Sequence, residues 1–594
     1  MGHAHSAKGE VRGLTVTRSP AQTIVEIARS RAEQTPARTA YTFLDVNLEP
    51  RDTLSYEQLD RCARRIAQAA RAHAVPGDRV LLIYPPGLEF VCAFVGALYA
   101  QLIPVPLAPL QPRKSGEWER VRDVIHDCGA RLLLTNAALG DAWGCEGAAA
   151  APIPVLSTDV LEHSDAELVQ LGRPRAQDVA LIQYTSGSTS RPKGAVISHA
   201  NLTANLSFIA RRFGHSPNSQ GLIWMPAYHD MGLIGGILQP LFCGFPVAVM
   251  SPLQVLQRPA LWLEAVTRYR ATSSGGPNFA FELCTRRIPE SRAAQLDLSS
   301  WDVAFCGAEP VRIDVLDAFA ARFGRVGFRR TAFYPCYGMA ESTLMITGGH
   351  KDSQPRAFTV DAEALSAGRI ERAHDGAREI SVVGCGWPDE DSIVRIVDAT
   401  THRVVPDGVV GEIWVCGPSV GQGYWGGAAA DAFDGRLATE PGLRFLRTGD
   451  LGSVIDGELV VTGRVKDMVI VRGRNLYPDD LELTSVSSHE AVAGMPCAAF
   501  ALPGLGTERV AIVQEVRRTH LRSLDAGAVL AAIEKRVIEA HGISPSVALA
   551  APGQIPRTTS GKVQRGRCRT LWTEGTLGIA GVPPTHNASK ELTD

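Results

Sequence analysis

The amino-acid sequence predicts an α/β fold. A large N-terminal domain of parallel-sheet subdomains and a small β-barrel-like subdomain should precede a small α+β C-terminal domain. The chain of 594 residues exceeds what one simple hydrophobic core holds. Over residues 20–380, short apolar runs alternate with amphipathic helical segments, a pattern typical of parallel sheets. Near residue 390 the pattern changes to short strands separated by Asp-Gly and Gly-rich turns, which favours an antiparallel sheet.

Two helices near the start of the chain are predicted from their capping residues. Thr23 is followed three positions later by Glu26, a pair that begins a helix over residues 23–35. Ser55 begins the same pattern and predicts a second helix over residues 55–73. Both segments carry apolar side chains at helical spacing, so each should pack one face against the core.

The next elements follow from apolar runs and turn residues. Buried strands are predicted at residues 79–84, 102–105, 131–135 and 179–183, with a helix beginning at Leu88. Residues 136–154 are rich in Ala and Gly and are expected to form a loop.

The second half of the chain supplies the remaining elements and the domain boundaries. Short strands are predicted at residues 392–397, 410–415, 458–462, 468–471 and within 498–516, and helices at 478–488 and 526–541. We therefore expect a flexible N-terminus (1–19), an N-terminal domain (20–465) with a β-rich subdomain (390–465), a C-terminal domain (466–577) and a flexible tail (578–594).

Charge and cysteine content exclude several classes of protein. Lys and Arg number 60 against 62 Asp and Glu, which leaves no basic excess for a nucleic acid backbone. The 12 cysteines form no CxxC pair, so a metal knuckle or a disulfide framework is not expected. No coiled-coil pattern is evident, and we expect a monomer.

The sequence contains no evident targeting or membrane segment. The first 13 residues lack the apolar core of a secretory peptide. Residues 90–111 are uncharged, but Pro104, Pro106 and Pro109 interrupt them, which favours a buried helix followed by a buried strand over a membrane span. We therefore expect a cytoplasmic protein.

The most informative motif is the segment 184–194, directly after a predicted strand. It contains Thr185, Ser186, Gly187, Ser188, Thr189 and Lys193. Hydroxyl and N–H groups of such a loop can converge on phosphate oxygens, while the lysine adds positive charge. The segment is not a Walker A motif, because it lacks the GK[ST] sequence. On composition alone, a flexible surface loop explains it equally well.

Four further segments could complete a nucleotide site. Lys562 lies on a Gly-containing turn near the C-terminus and could stabilise phosphate charge. Tyr337 and Glu341 could stack a base and hold magnesium. Asp450 and Arg464 could hold ribose hydroxyls. Taken singly, each is also compatible with a solvated turn or a core residue.

Together these motifs resemble the adenylate-forming superfamily, which includes acyl-CoA ligases, adenylation domains and luciferases. The resemblance covers residues 20–570, and several strings are most similar to fatty acyl-AMP ligases. These strings are residues 82–90, 183–189, 225–235, 276–280, 306–310 and 470–475.

The resemblance implies an activity and a role for each matched residue. Such enzymes join a fatty acid to ATP, release pyrophosphate and pass the acyl group to the phosphopantetheine thiol of a holo acyl carrier protein. Lys562, Glu341 and Thr185 would be catalytic, Glu341 would ligate Mg²⁺, and Lys466 would be the hinge of a mobile C-terminal domain. The adenine and ribose would contact Gly307, Ala308, Glu309, Tyr337, Gly338, Met339, Asp450 and Arg464. The loop 184–194, with Thr185 to Thr189 and Lys193, would wrap the β- and γ-phosphates.

The resemblance also implies an acyl pocket and a family-type insertion. Pocket candidates are Tyr228, His229, Met231, Leu233, Ile234 and Phe279, each of which is equally explained as core. A fatty acid is already ionised near pH 7, so His229 is expected to gate the entrance or to serve structure, not to act as a base. The polar stretch 349–379 occupies the place of the insertion that restrains domain rotation in fatty acyl-AMP ligases, and is otherwise a surface loop.

Departures from the family pattern are few, and other functions remain open. Cys306 and the pair Ser190-Arg191 differ from the usual residues but remove no catalytic group. The alternatives are an acyl-CoA ligase, an amino-acid adenylation domain and a non-catalytic acyl or nucleotide sensor. A sensor would be expected to lose Lys562, Glu341 or the phosphate loop, and all are present.

Overall fold

A computed structural model describes residues 22–110, 117–161, 173–185, 192–471, 474–502, 508–558 and 561–577. The two segments predicted to be flexible, 1–19 and 578–594, and the hydroxyl-rich residues 186–191 lie outside the described residues. None of the helices within the described ranges combines the length and the apolar character needed to cross a membrane.

The helices and strands alternate through the first half of the chain and become mainly β in its middle. The strands are β1 Thr39–Leu44, β2 Pro50–Ser55, β3 Arg79–Ile83, β4 Ile103–Leu107, β5 Leu132–Thr135, β6 Val155–Ser157, β7 Val179–Thr185, β8 Lys193–Ser198, β9 Gly221–Ile223, β10 Val247–Val249, β11 Ser273–Gly276, β12 Val303–Cys306, β13 Phe333–Gly338, β14 Met345–Gly348, β15 Ala357–Asp361, β16 Glu379–Val383, β17 Ile393–Val397, β18 Gly411–Cys416, β19 Leu446–Ile455, β20 Glu458–Arg464, β21 Val469–Val471, β22 Arg474–Leu476, β23 Cys497–Leu502, β24 Arg509–Glu515 and β25 Ser546–Ala550. The α-helices are α1 Ile24–Gln34, α2 Tyr56–Arg71, α3 Glu89–Tyr99, α4 Glu117–Cys128, α5 Ala137–Ala150, α6 His199–Phe213, α7 Gln239–Cys243, α8 Pro252–Gln257, α9 Ala260–Tyr269, α10 Asn278–Arg287, α11 Glu290–Ala293, α12 Ile313–Phe323, α13 Ala362–Ser366, α14 Pro478–Val486, α15 Ala526–His541 and α16 Arg565–Thr573.

The N-terminal domain is built on two mainly parallel sheets, as the sequence predicts. The described residues form an eight-stranded sheet in the order β14-β13-β12-β11-β9-β10-β1-β2 and a four-stranded parallel sheet in the order β4-β3-β5-β6. Parallel strands are covered by helices on their faces, which explains the uninterrupted apolar runs of β3 and β5. The first two helices have the capping boxes expected at Thr23 and Ser55.

The β-rich subdomain is a four-stranded antiparallel sheet in the order β17-β18-β19-β20. The C-terminal region contains the β21-β22 hairpin and a three-stranded sheet, β23-β24-β25, packed against α14, α15 and α16. The change from a parallel to an antiparallel pattern near residue 390 therefore matches the sequence-based expectation, and the overall α/β class is confirmed.

Residues 136–154 do not form the expected loop, because α5 occupies most of this segment. Ala has the highest helix propensity, and the alanines outweigh the destabilising glycines here. Trp143 also anchors the helix by an edge-to-face contact with Trp118 on α4, with ring centroids 5.3 Å apart. The loop expected from the Ala and Gly content is therefore wrong.

The polar stretch 349–379 is also more ordered than a surface loop. It contains β15 and α13 and leads into β16, which pairs with β15 over five residues. Phe358, Leu365 and Ile370 from this stretch are buried against Val460 of the β-rich subdomain and Tyr477 of the C-terminal region. The stretch therefore contacts both sides of the segment that joins the two domains.

Candidate active site

One large cavity, with a volume of about 1760 Å³, lies between the N-terminal domain and the C-terminal region. Its wall collects residues that are far apart in sequence, because parallel strands end at a common edge of a sheet. Of the residues predicted from sequence, the wall includes Lys193, Tyr228, His229, Met231, Ala308, Tyr337, Gly338, Met339, Glu341, Asp450, Arg464, Lys466 and Lys562.

Asp450 and its two partners form a fixed polar group on this wall. Asp450 and Arg464 face each other across β19 and β20, and Arg464 Nε lies 2.9 Å from Asp450 Oδ1. The Tyr337 hydroxyl donates to the other carboxylate oxygen at 2.8 Å. Burial and the Asp450 charge raise the pKa of Tyr337 well above its usual value, so the phenol stays a donor. The carboxylate is therefore held in one orientation.

Glu341 lies on a turn after β13 and is also held by a tyrosine. Its side chain is 7% exposed, and the Tyr424 hydroxyl donates to Oε1 at 2.7 Å. Burial raises the pKa of Glu341, while this hydrogen bond opposes the rise. Lys193 Nζ lies 5.5 Å from the centre of the Tyr424 ring, close enough for a cation–π interaction.

The backbone between β12 and α12 and at the end of β13 approaches its neighbours closely. Ala308 has a φ of 69°, a left-handed conformation that a residue with a Cβ adopts at an energetic cost. A Cβ on Gly338 would lie 1.8 Å from the Leu344 carbonyl oxygen, so this position admits glycine alone. These two features fix the edge of the cavity beside Tyr337.

Lys562 reaches the same cavity from the C-terminal region. A hydrogen bond from Thr558 N to Lys562 O, at 2.7 Å, closes its turn. Desolvation by the surrounding protein lowers the pKa of Lys562, and the negative charge of Asp230 opposes this shift. Lys562 nevertheless remains exposed to solvent. Lys562 shares the cavity wall with a carboxylate that sequence reasoning missed, Asp230, which lies within the matched string 225–235.

Asp230 and His229 form a close pair on the cavity wall. His229 Nδ1 lies 2.5 Å from Asp230 Oδ1, and the Met231 amide donates to the same oxygen at 2.7 Å. Burial raises the pKa of Asp230, but His229, Lys562 and the amide outweigh it and hold the pKa below its usual value. A π-helix, Met231–Leu238, begins here, a rare element that is frequent at functional sites.

The predicted acyl residues divide into two groups. Tyr228, His229 and Met231 lie on the cavity wall. Leu233 and Ile234 are completely buried in the hydrophobic core, and Phe279 packs against Trp224, so among the described residues these three do not line the cavity. The apolar wall comes instead from residues that sequence reasoning missed: Ile209, Phe213, Phe305, Leu344 and Met345.

The remaining predicted residues lie beside the cavity or outside the described ranges. Gly307 and Glu309 flank Ala308 but are not part of the described wall, and Glu309 accepts a hydrogen bond from Phe279 N at 3.0 Å. Ser186, Gly187, Ser188 and Thr189 lie outside the described residues, as does the side chain of Thr185.

Lys466 lies on the cavity wall, next to an ion-pair cluster that links the expected hinge to the Lys562 turn. Arg565, three residues after Lys562, lies 3.4 Å from Asp467 and 2.7 Å from Glu482. Arg565 also pairs with Asp479. The cluster connects the segment at the domain boundary with the start of α16.

No group of three or more His, Cys, Asp or Glu side chains arranged for a metal occurs among the described residues. A magnesium ion could still be held here by one carboxylate together with substrate phosphates, which is how Mg²⁺ is commonly bound. Glu341 fits that role, since its carboxylate faces the cavity and Tyr424 fixes its orientation.

The fold and the site define an adenylate-forming enzyme, and comparison with known proteins agrees. The AMP-binding enzyme family matches residues 28–425, and a Disco-interacting protein 2-like AMP domain matches residues 466–582. The chain belongs to the AMP-binding enzyme family. Within it the chain belongs to the fatty acyl-AMP ligases, which confirms the resemblance found in the sequence.

Relatives and solved structures resemble the chain over nearly its whole length. A medium-chain fatty acid–[acyl-carrier-protein] ligase of Moorena producens is 40% identical, covering 93% of this chain and 96% of that protein. A long-chain fatty acid–AMP ligase and a 4-hydroxyphenylalkanoate adenylyltransferase, both of Mycobacterium marinum, are each 36% identical, covering 92% of this chain and 96% and 90% of those proteins. The structure of a fatty acyl-adenylate ligase from Legionella pneumophila, with acyl adenylate and pyrophosphate, has 36% identity and a TM-score of 0.73, covering 95% of this chain and 98% of that one.

Proposed function

We propose that the protein activates a medium- or long-chain fatty acid with ATP, releases pyrophosphate, and transfers the acyl group to the phosphopantetheine thiol of a holo acyl carrier protein. The observation that carries the proposal is a single cavity that holds Lys562, Glu341 and Asp450 and continues into an apolar arm. A cation, a carboxylate suited to Mg²⁺ and a carboxylate suited to ribose are the groups this chemistry needs.

In the first step, a carboxylate oxygen of the fatty acid bonds to the α-phosphorus of ATP. The bond from that phosphorus to pyrophosphate breaks, and pyrophosphate leaves with the electron pair. Both reactants are anionic, so Lys562 neutralises charge between them and holds them in line. Mg²⁺, when bound, screens the phosphate charge, with Glu341 as its protein ligand. No base is needed, because the acid is already ionised.

Polar side chains and backbone on the cavity wall position the nucleotide. Asp450, fixed by Arg464 and Tyr337, accepts hydrogen bonds from the ribose hydroxyls. Ala308, Tyr337, Gly338 and Met339 form the adenine side of the site. In this proposal, the loop from Thr185 to Lys193 wraps the β- and γ-phosphates.

The second step transfers the acyl group. The thiol loses its proton, its sulfur bonds to the acyl carbon, and AMP leaves with the electron pair of the broken C–O bond. We propose a carrier protein over free CoA as acceptor because residues 349–379 pack against both Val460 and Tyr477. These contacts oppose rotation about Lys466, the proposed hinge.

Two further assignments complete the proposal. The described cysteines are all free thiols, which is typical of a reducing compartment, and we place the protein in the cytoplasm. We also expect it to act as a monomer. The relatives are named for medium-chain fatty acids, long-chain fatty acids and 4-hydroxyphenylalkanoates, so the tail of the substrate varies within the family.

A product assay tests the proposal. The pure protein is incubated with ATP, Mg²⁺, excess CoA and fatty acids from octanoate to hexadecanoate, and products are identified by mass. Acyl-AMP without acyl-CoA is the expected result. Abundant acyl-CoA would instead support the acyl-CoA ligase alternative, and no acyl product from any acid would contradict adenylation of simple fatty acids.

A further inference from the structure

A polar pair interrupts the apolar arm of the cavity. His215 and Ser273 both lie on the cavity wall, and His215 Nε2 is 3.0 Å from Ser273 Oγ. Aromatic rings surround His215: its ring lies 5.3 Å from that of Phe213, which also lines the cavity, and 4.9 Å from that of Phe245 behind it. A hydrogen-bonding pair in such a wall is not needed to hold a purely aliphatic chain.

The pair lies far from the nucleotide side of the cavity. Ser273 begins β11 and aligns with Val303 at the start of β12, whereas Ala308 follows the end of β12. At about 3.3 Å per residue, the two sides are separated by roughly 15 Å along the strands. An acyl chain that starts at Lys562 and follows β12 would therefore bring its tail, and not its carboxylate, to Ser273.

The hydrogen bonds around the pair leave the Ser273 hydroxyl able to bond to one more group. Gln239 Nε2 lies 3.4 Å from His215 Nδ1, an arrangement in which Nδ1 accepts and Nε2 donates to Ser273 Oγ. The Ser273 hydroxyl hydrogen can then point to a group in the cavity. If the Gln239 side-chain amide is flipped, its oxygen accepts from His215 Nδ1 and the Ser273 hydroxyl donates to Nε2. The lone pairs of the Ser273 oxygen are then available to a group in the cavity.

A hydroxyl group satisfies both arrangements, because it can donate and accept. A charged tail does not fit: burial, with the nearby Lys351 charge, lowers the pKa of His215 to about 3, so the imidazole is neutral. Lys351 itself is already paired with Asp302 at 3.3 Å. The aromatic wall also favours a neutral group.

We propose that His215 and Ser273 select fatty acids whose tail carries a neutral hydroxyl group. The inference rests on the proposed adenylation of fatty acids and names the substrate class for it. Ser273 contacts the tail, and His215, held by Gln239, orients the Ser273 hydroxyl.

The test compares matched acids that differ at the tail alone. Pyrophosphate release is measured with octanoate, decanoate and dodecanoate, and with the ω-hydroxy derivative of each. For at least one length, kcat/KM of the hydroxy acid should exceed that of the plain acid by about tenfold, the effect of one satisfied buried hydrogen bond. Ser273→Ala should remove this preference, so that the hydroxy and plain acids of each length give nearly the same kcat/KM.

A matched variant separates recognition from folding. Ser300 does not line the cavity, and its hydroxyl donates to Ala271 O at 3.2 Å. Ser300→Ala should therefore keep the wild-type preference. The inference is overturned if the wild type prefers the plain acid at every length, or if Ser273→Ala leaves the ratio unchanged. If neither the plain nor the hydroxy acids are adenylated, the proposed function itself fails, and the inference with it.

Discussion

Asp450 and Arg464 are register partners on adjacent antiparallel strands, and their side chains meet at 2.9 Å on the wall of the cavity. The pairing places a 5% exposed carboxylate between a guanidinium and the Tyr337 hydroxyl. A carboxylate held by two donors loses little conformational freedom on binding a ligand.

Asp450→Asn should therefore weaken ATP use. The amide keeps the shape but loses the charge that Arg464 holds, and hydrogen bonds to charged groups contribute about 1.5–3 kcal/mol. We expect KM for ATP to rise at least tenfold, measured by pyrophosphate release at saturating fatty acid. Asp456→Asn, at an exposed carboxylate paired with Arg356, is the control and should leave KM unchanged.

Lys562→Ala should lose adenylation by about a hundredfold or more, because the cation between two anionic reactants is removed. ATP binding, measured by calorimetry, should largely survive, since Asp450 and Tyr337 remain. Lys535→Ala removes an exposed lysine from α15 and should retain full activity. Near-normal pyrophosphate release by Lys562→Ala would refute the assignment.

Tyr424→Phe should move the acidic limb of the pH–activity profile to higher pH. Burial already raises the pKa of Glu341, and the Tyr424 hydroxyl counteracts it. Without that hydroxyl the pKa rises further, so the carboxylate that binds Mg²⁺ becomes protonated at a higher pH. Tyr334→Phe loses a hydroxyl that donates to Gly349 O and should leave the profile in place. An unshifted limb in Tyr424→Phe would contradict the role of Glu341.

Arg565→Ala should destabilise the C-terminal region by about 3 kcal/mol, because breaking a largely buried ion pair leaves the Glu482 carboxylate uncompensated. Burial raises the pKa of Glu482 to about 7 even though Arg565 lowers it. In the variant that pKa rises further above its unfolded value, so stability falls as pH increases through neutrality. Denaturant unfolding at several pH values measures this, with the exposed Arg569→Ala as control. A loss that is the same at every pH would exclude Glu482 as its cause.

Phe358→Ser should allow acyl-CoA to form. Phe358 is buried in the cluster that joins residues 349–379 to Tyr477, and a serine there removes apolar contacts that oppose domain rotation. The product assay with excess CoA detects the thioester by mass. Val404→Ser, at an exposed position, should give no acyl-CoA. If Phe358→Ser remains folded and forms no thioester, these contacts do not control the acceptor.

The sequence by itself determined the features that depend on neighbouring residues. Capping pairs at Thr23 and Ser55 act over three positions, and apolar runs predict buried strands directly. The motif strings that carry the family resemblance, residues 184–194 and the segment around Lys562 among them, are short runs of neighbouring residues and are therefore visible in the sequence itself. The loop predicted at residues 136–154 is wrong, because Ala favours a helix and Gly disfavours one, so composition alone does not decide. The contact of Trp143 with Trp118 helps stabilise the helix.

The tertiary structure decided what depends on distant partners. Tyr424 and Glu341 are 83 positions apart, and Tyr337 and Asp450 are 113 apart, so no local pattern predicts either hydrogen bond. Leu233 and Ile234, two of the candidates for the acyl pocket, are buried in the hydrophobic core. The sequence shows that a side chain is apolar, but not whether it faces a cavity. His215 and Ser273 meet across 58 positions for the same reason: strand order, and not sequence spacing, places them on one wall.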